Sequence, residues 1–264
     1  MPKTILITGA TDGIGLETAK RLAAEGHELL LHGRSSAKLD AARAAVGGAT
    51  AGYIADLSKL EDVVRMADEI ARDYSHLDVV INNAGVYKMP APITQDGYDT
   101  RFLVNTVAPY VLTKRLLPLM GSDSRVINLS SAAQAPVNLS ALQGRTRLDD
   151  MGAYAQSKLA ITMWTIQMAR DLPQGPVFIA VNPGSLLASK MVKEGFGVAG
   201  SDLGIGADIL RRAALDPEFS EASGKYFDND ADAFNRPHAD ALNAGKVAEV
   251  VRAIEEVASR LLKA

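Results

Sequence analysis

In Tyr154-Ala155-Gln156-Ser157-Lys158 a phenol and an amine stand four positions apart. On a helix, that spacing projects both side chains from one face. A free phenol, with a pKa of about 10, exchanges protons poorly near neutrality. A lysine ammonium one turn away would stabilise the phenolate and bring the phenol into a working range. Ser130-Ser131 lies upstream at the end of a strand-like run. A serine hydroxyl beside the phenol could hold a substrate oxygen as charge moves on or off it. Tyr and Lys at this spacing also occur on ordinary helices, so their weight depends on what accompanies them.

Two glycine-bearing turns do. Thr8-Gly9-Ala10-Thr11-Asp12-Gly13-Ile14-Gly15 joins a strand-like run to a helical one. Glycines there permit a tight turn and let backbone N–H groups approach a pyrophosphate at the helix start. Asn82-Asn83-Ala84-Gly85 ends a later strand-like run. Its Asn side chains can tie neighbouring strands, while Gly85 lets the backbone pass a bound nucleotide; alone, such a stretch is only a turn. The second strand ends in His32-Gly33-Arg34-Ser35-Ser36. An acidic residue there would accept from a ribose diol and select NAD. Arg34, with Ser35, Ser36 and Lys38 nearby, instead suits a 2′-phosphate and favours NADP(H) over NAD(H). Asp12 in the glycine turn opposes that preference. Asp56, followed by Leu57-Ser58, either accepts from an adenine amino group or caps the helix that begins near Ser58.

Such residues need a scaffold, and the chain alternates short apolar runs with segments whose apolar residues recur three or four apart. Thr4–Thr8, Glu28–His32, Ala51–Ala55, Val79–Asn82, Arg125–Leu129 and Val177–Asn182 read as buried strands. Gly13–Glu25, Ala37–Val46, Lys59–Tyr74, Asp99–Met120 and Ala153–Asp171 read as the helices between them. Lys225-Tyr226-Phe227 supplies a last strand, and Gly245–Leu262 an amphipathic helix that packs on the sheet or on a partner subunit. The expected class is α/β: one domain over 1–264, a doubly wound parallel sheet of about seven strands flanked by helices. Ligands of such sheets bind at the carboxyl ends of the strands. The apolar mixture over 185–200 suits a substrate flap, although a surface helix and turn would have the same composition.

Composition removes other classes. Lys plus Arg number 28 against 31 Asp plus Glu, which leaves no basic footprint for nucleic acid or an anionic membrane. The absence of Cys excludes disulfides, thiolate nucleophiles and Cys-based metal sites. The four His are scattered without ligand spacing, so no metal is expected. Met-Pro-Lys-Thr-Ile-Leu-Ile-Thr-Gly runs straight into a strand, with no signal-peptide pattern. No apolar run approaches the ~20 residues that cross a membrane. The expectation is a cytoplasmic protein.

Taken in order along nearly the whole chain, the Thr8–Gly15 turn, Asn82–Gly85, Val104-Asn105, Ser131, Tyr154 with Lys158, and Pro183-Gly184 resemble the short-chain dehydrogenase/reductase family. The resemblance implies a Rossmann-like domain that binds a nicotinamide nucleotide and acts on a carbonyl or alcohol. It implies that Tyr154 is the general acid/base and that Ser131 orients the substrate oxygen. Lys158 would bind nicotinamide ribose hydroxyls as well as tune Tyr154, and Asn105 would hold a water linking Lys158 to solvent. Cofactor contacts then fall on Thr8, Gly9, Asp12, Gly13, Ile14, Gly15, Arg34, Ser35, Asp56, Leu57, Asn83, Ala84, Gly85, Tyr154, Lys158, Pro183 and Gly184.

Twenty-three positions separate Ser131 from Tyr154, and Gln134–Gly152 fills the gap. That insertion, the Ala153–Ala160 context, and Gly224-Lys225-Tyr226-Phe227 followed by Pro237 resemble the retinol-dehydrogenase-like branch. The branch implies NADP(H) and a lipophilic carbonyl or alcohol substrate. The sequence departs from it in lacking an N-terminal anchor, and in placing Ala188 where many relatives have Thr. Relatives often pair through the helices carrying Asn105 and Tyr154, so a homo-oligomer is one expectation, with the insertion able to block that face. Two rivals stand beside the oxidoreductase: a non-catalytic dinucleotide sensor on the same fold, and a nucleotide-sugar epimerase or dehydratase. The phosphate assignment is testable directly: Arg34→Asp should move the kcat/KM preference from NADPH toward NADH. An unchanged ratio would remove Arg34 from cofactor selection.

Overall fold

Residues 1–185, Leu187 and 200–263 are described by the structure, a computed structural model. The first half alternates strictly: β1 (Thr4–Ile7), α1 (Gly13–Ala24), β2 (Glu28–Gly33), α2 (Ser36–Val46), β3 (Thr50–Ile54), α3 (Leu60–Asp73) and β4 (Val79–Asn82). There follow α4 (Thr100–Phe102), a π-helical turn (Leu103–Val107), α5 (Ala108–Leu116), β5 (Arg125–Leu129), α6 (Leu139–Leu142), α7 (Asp150–Asp171) and β6 (Val177–Asn182). The last third adds α8 (Leu203–Leu215), β7 (Lys225–Asp228), β8 (Ala233–Asn235) and α9 (Ala244–Leu261).

The strands form one sheet in the order β3-β2-β1-β4-β5-β6-β7-β8, parallel except for β8. Strand order reverses between β1 and β4, so their carboxyl ends flank the crevice where ligands of such sheets bind. Period-two alternation divides the core. Leu6, Leu30, Val80, Val126 and Phe178 lie in register across the sheet and meet the cluster built with α3, α5, α7 and α9. Their neighbours Ile5, Ile7, Leu29, Leu31, Ile81 and Ile127 point the other way, onto Ala19 and Leu22 of α1 and Ile209 and Leu210 of α8.

Expectation and structure differ in four places. The sheet has eight strands rather than about seven: β8 is three exposed residues without a period, paired antiparallel to β7. Asp99–Met120 is not one regular helix, because the π-helical turn interrupts it around Asn105. α7 begins at Asp150 rather than Ala153, since Asp149 caps it by accepting from the Gly152 N–H at 2.8 Å. α8, which sequence reasoning left irregular, is capped by Asp202 and packs against α1. The amphipathic last helix packs against α7 and α6 of its own chain. Most of the expected flap over 185–200 lies outside the described residues.

Helix α7 is held on the sheet by side-chain hydrogen bonds through the core. Asn82 Nδ2 donates to Thr113 Oγ1 at 3.1 Å and to Asn128 Oδ1 at 2.8 Å, and Asn128 Nδ2 donates to Thr165 Oγ1 at 2.8 Å. Ser130 Oγ bonds Thr162 Oγ1 at 2.7 Å, and Thr162 Oγ1 donates to the Lys158 carbonyl at 2.9 Å. The helix start is fixed separately by Arg101, fully buried, whose guanidinium grips Asp99 at 2.7 and 2.9 Å and also pairs with Asp150. Asp149 thus caps α7 and Asp150 pairs with Arg101. Arg101→Met should destabilise the fold by about 3–5 kcal/mol, because it leaves the buried Asp99 carboxylate without its counter-charge. Urea unfolding with an unchanged midpoint would show that the pair carries no such load.

Candidate active site

The glycine turn is shaped by what presses on it. Gly9 has φ +66°, and a Cβ there would lie 2.9 Å from Ala84 Cα. A Cβ on Gly15 would fall 2.4 Å from both Gly9 O and Asn83 Nδ2, so only glycine lets α1 start this close. Asn83 Nδ2 donates to the carbonyls of Thr8 and Gly9 at 2.8 and 3.1 Å, and the Ala84 N–H donates to Thr8 Oγ1 at 3.1 Å. Asp12 is the N-cap of α1 and accepts from the Gly13 N–H at 2.8 Å. Residue His32 adds a tie that the sequence did not advertise. Its buried ring accepts from the Gly9 N–H at Nδ1 (3.1 Å) and donates from Nε2 to the Ala55 carbonyl (3.0 Å). That pairing selects the neutral Nε2–H tautomer, and burial lowers the ring's pKa in the same sense.

At the end of β5, the loop and α7 bring Ser131, Tyr154 and Lys158 together. Ser131 acts on the Tyr154 phenol in the sense that lowers its pKa, and its Oγ accepts from the Ala133 N–H at 3.1 Å. Ser130 is buried and spent on Thr162 and the Lys158 carbonyl, which leaves Ser131 as the site serine. Lys158 Nζ donates to the Leu129 carbonyl at 2.7 Å and stands 5.7 Å from the Tyr154 ring centroid. Asn105 occupies the π-helical turn, with Oδ1 accepting from the Val86 N–H at 2.8 Å and Nδ2 donating to Val86 O and Ser157 Oγ, both at 3.0 Å. Tyr87, which sequence reasoning passed over, packs its ring edge-on against Tyr154 at 5.2 Å.

The expected lowering of the phenol pKa by the lysine is reversed here. Burial raises Tyr154 above the ordinary phenol value, the Ser131 hydrogen bond opposes this, and Tyr87 adds to it. The same burial lowers Lys158 to about 8. Desolvation penalises the charged form of each partner, so it raises the phenol and lowers the amine, which at about 8 still carries its proton near neutral pH.

The remaining expected residues lie mostly along the carboxyl ends of the strands. Arg34 is exposed just beyond β2, and Ser35 caps α2. Asp56 accepts from the Ser58 N–H and hydroxyl through one oxygen, ahead of Lys59, the N-cap of α3. Leu57 is buried in the core, which leaves only its backbone to offer a ligand. Beyond β6, Asn229 Nδ2 donates to the Pro183 carbonyl at 2.9 Å, and Gly184 has φ +120°. Asp230 accepts from the Ser185 N–H and hydroxyl and from Asn182. Despite burial, those bonds hold its carboxyl below the ordinary value. Arg147 donates to the Gly97 carbonyl at 2.8 Å.

A nicotinamide dinucleotide fits this donor set. Gly13, with φ +56°, has open space where a Cβ would stand, at the amino end of a twelve-residue helix. Thr8, Gly9 and Asn83–Gly85 floor the crevice between β1 and β4, and the Ser131 cluster stands at the same end of the sheet.

The buried lysine has a signature in the ligand-free protein. Its folded pKa lies below the ordinary 10.5, so between about pH 8 and 10.5 the folded state binds fewer protons than the unfolded one. The charge penalty is therefore full below pH 8 and relieved as pH rises. Wild-type stability should gain up to about 3 kcal/mol relative to Lys158→Met across that window. A flat difference between their unfolding free energies would contradict the burial of an amine there.

Residues 3–196 match the family model described as short chain dehydrogenase. Human retinol dehydrogenase 13 is 32% identical over 253 residues, covering 86% of this chain and 76% of its own. Among solved structures, an uncharacterized protein of Mycobacterium paratuberculosis superposes with TM-score 0.81 at 28% identity, over 97% of this chain and 93% of that one. A short-chain dehydrogenase of Burkholderia cenocepacia in complex with NADP gives 0.69 at 26%, over 86% and 95%. With a glycine turn at the switch of the sheet and a serine, tyrosine and lysine gathered beside it, the chain belongs to the short-chain dehydrogenases and is an NAD(P)-dependent dehydrogenase/reductase with retinol-dehydrogenase-like relatives.

Proposed function

We propose that the protein is an NADP(H)-preferring oxidoreductase acting on a lipophilic carbonyl or alcohol. The observation that carries this is the Ser131–Tyr154–Lys158 cluster at the carboxyl end of β5, beside the turn that suits a dinucleotide. Bound nicotinamide supplies or accepts the hydride. In the reductive direction, Ser131 Oγ keeps its Ala133 N–H bond and turns its own proton toward the substrate oxygen. The Tyr154 phenol delivers the proton that completes the alcohol. Its raised pKa suits it to arrive protonated. Lys158 leaves the Leu129 carbonyl for ribose hydroxyls, where a retained positive charge eases proton loss from Tyr154 in the oxidative direction. Asn105 acts through Ser157 and Val86, holding the π-helical turn against α7, and could order the water expected beside Lys158.

Support for NADP(H) is the exposed Arg34 beyond β2, with no carboxylate at that position. Asp12, whose carboxylate is used in capping α1, offers less opposition than its sequence position suggested. Support for a lipophilic substrate comes from the relative named for retinol, itself a lipophilic alcohol. We place the activity in the cytoplasm; among the described residues no helix is long and apolar enough to cross a membrane. Should two copies pair, the α7 surface under α9 is already taken by the chain's own helix.

Oxidation of NADPH, compared with NADH, over aldehydes and ketones graded in apolar size should show turnover that favours NADPH and rises with size. Turnover confined to small polar sugars would overturn the substrate class, and a retained, tightly bound NAD would favour the epimerase alternative. Tyr154→Phe should cut turnover by about 10²- to 10⁴-fold while NADPH binding persists. Full activity in that variant would remove the phenol from the reaction.

A further inference from the structure

Ser131 is held from behind as well as from its hydroxyl side. Its carbonyl accepts from Gln134 Nε2 at 3.0 Å and from the Tyr226 phenol at 3.2 Å. Gln134 Oε1 accepts the His238 N–H at 3.1 Å. Two parts of the chain, the loop after β5 and strand β7, thus meet on one peptide carbonyl, and the turn after β8 braces Gln134 from behind. None of these bonds touches the face of Ser131 that meets Tyr154. Tyr226 is buried, and burial raises its pKa, so it remains an O–H donor throughout the working pH range.

We propose that Gln134 and Tyr226 form a clamp on the Ser131 carbonyl, and that this clamp positions the Ser131 hydroxyl for the substrate oxygen and for Tyr154. They are positioning residues, acting through Ser131. The proposal rests on the functional reading given above. A peptide plane held by two donors cannot swivel, which fixes the Cα–Cβ direction from which Oγ extends, and the Ala133 N–H bond then holds Oγ itself. The catalytic gain comes from a hydroxyl already oriented when the substrate arrives. Binding of the nucleotide on the far side of the crevice would not depend on it.

The test uses two shape-preserving substitutions in the full chain, Gln134→Met and Tyr226→Phe, and their combination. With the best aldehyde from the graded panel, each single variant should lose about fivefold in kcat, and the double about 25-fold or more. KM for NADPH should stay within about twofold, and the thermal midpoint should remain that of a folded protein. In alcohol oxidation the pH of half-maximal rate should move upward in the double variant, because a loosened Ser131 no longer offsets the burial and the Tyr87 contact that raise Tyr154. General loosening of the fold would instead degrade NADPH binding and kcat together and leave that pH unmoved, and so would overturn the clamp. A folded double variant with wild-type kcat and pH profile would overturn it as well. Should the double variant fail to fold, the two singles carry the same comparison. Wild type that reduces no carbonyl would count against the functional reading alone. The clamp is then judged on hydrogen exchange at the Ala133 amide, which donates to Ser131 Oγ: faster exchange in Gln134→Met supports it, and equal exchange refutes it.

Discussion

The catalytic end of this molecule depends on a polar seam running through an otherwise apolar interior. From Thr113 through Asn82 and Asn128 to Thr165, and again from Ser130 through Thr162 to the Lys158 carbonyl, side chains join α5, β4, β5 and α7. Apolar contacts alone would tolerate sliding of a helix along a sheet. A buried amide or hydroxyl that loses its partner costs about 1–3 kcal/mol, so a shift of α7 by one turn would strand several at once. The seam therefore sets the height of Tyr154 and Lys158 against Ser131, which hangs from the end of the same β5. Helix α7 is correspondingly polar where it crosses the core, at Ser157, Thr162 and Thr165, all buried.

A second consequence of that depth is electrical. Charge alone would have Tyr154 and Lys158 sharpen one another, yet the pocket desolvates both, raising the phenol and lowering the amine to about 8. The lysine's proton finds a carbonyl at Leu129 rather than the phenol. Charge at this site is thus conditional on what fills the crevice. On the other side of the crevice, the turn after β1 is drawn in from three strands, by Asn83 after β4, by His32 on β2, and through His32 by Ala55 after β3. Here the ligand-binding surface is made by neutral hydrogen bonds and tight glycine contacts, which hold their shape across a wide pH range.

Much of this could be read from residue order, and the parts that could not share a cause. The glycine turn, the Asn turn and the Tyr154–Lys158 pair are local patterns of a dozen residues or fewer, and the strand–helix alternation and the upstream Ser131 set them in order. They located the sheet, the crevice and the cluster. The π-helical turn at Asn105 was not legible, because its apolar spacing over Leu103–Val107 differs too little from a regular helix. Strand β8 has neither alternation nor length. The signal for α8 was present, with Asp202 as a cap and Ile209, Leu210, Ala213 and Ala214 on one face, but its glycines disguised it. The long-range ties escaped altogether. Gln134 meets His238 across 104 positions and Tyr226 meets Ser131 across 95, and no window on the sequence spans such a pairing.

Helix α9 returns to cover α7, with Val247, Val250, Ile254 and Val257 completing the core beneath it and Glu255 bonding Tyr110 and Lys114. Every residue of the catalytic cluster is translated long before that cover exists. A nascent chain that has emerged only as far as Asn243 carries its serine, tyrosine and lysine but leaves the outer face of α7 wet and apolar. The parallel sheet adds to the delay, since its pairings join distant segments and close slowly. Until α9 emerges and docks, this apolar face stays exposed, and that docking is the event that covers it.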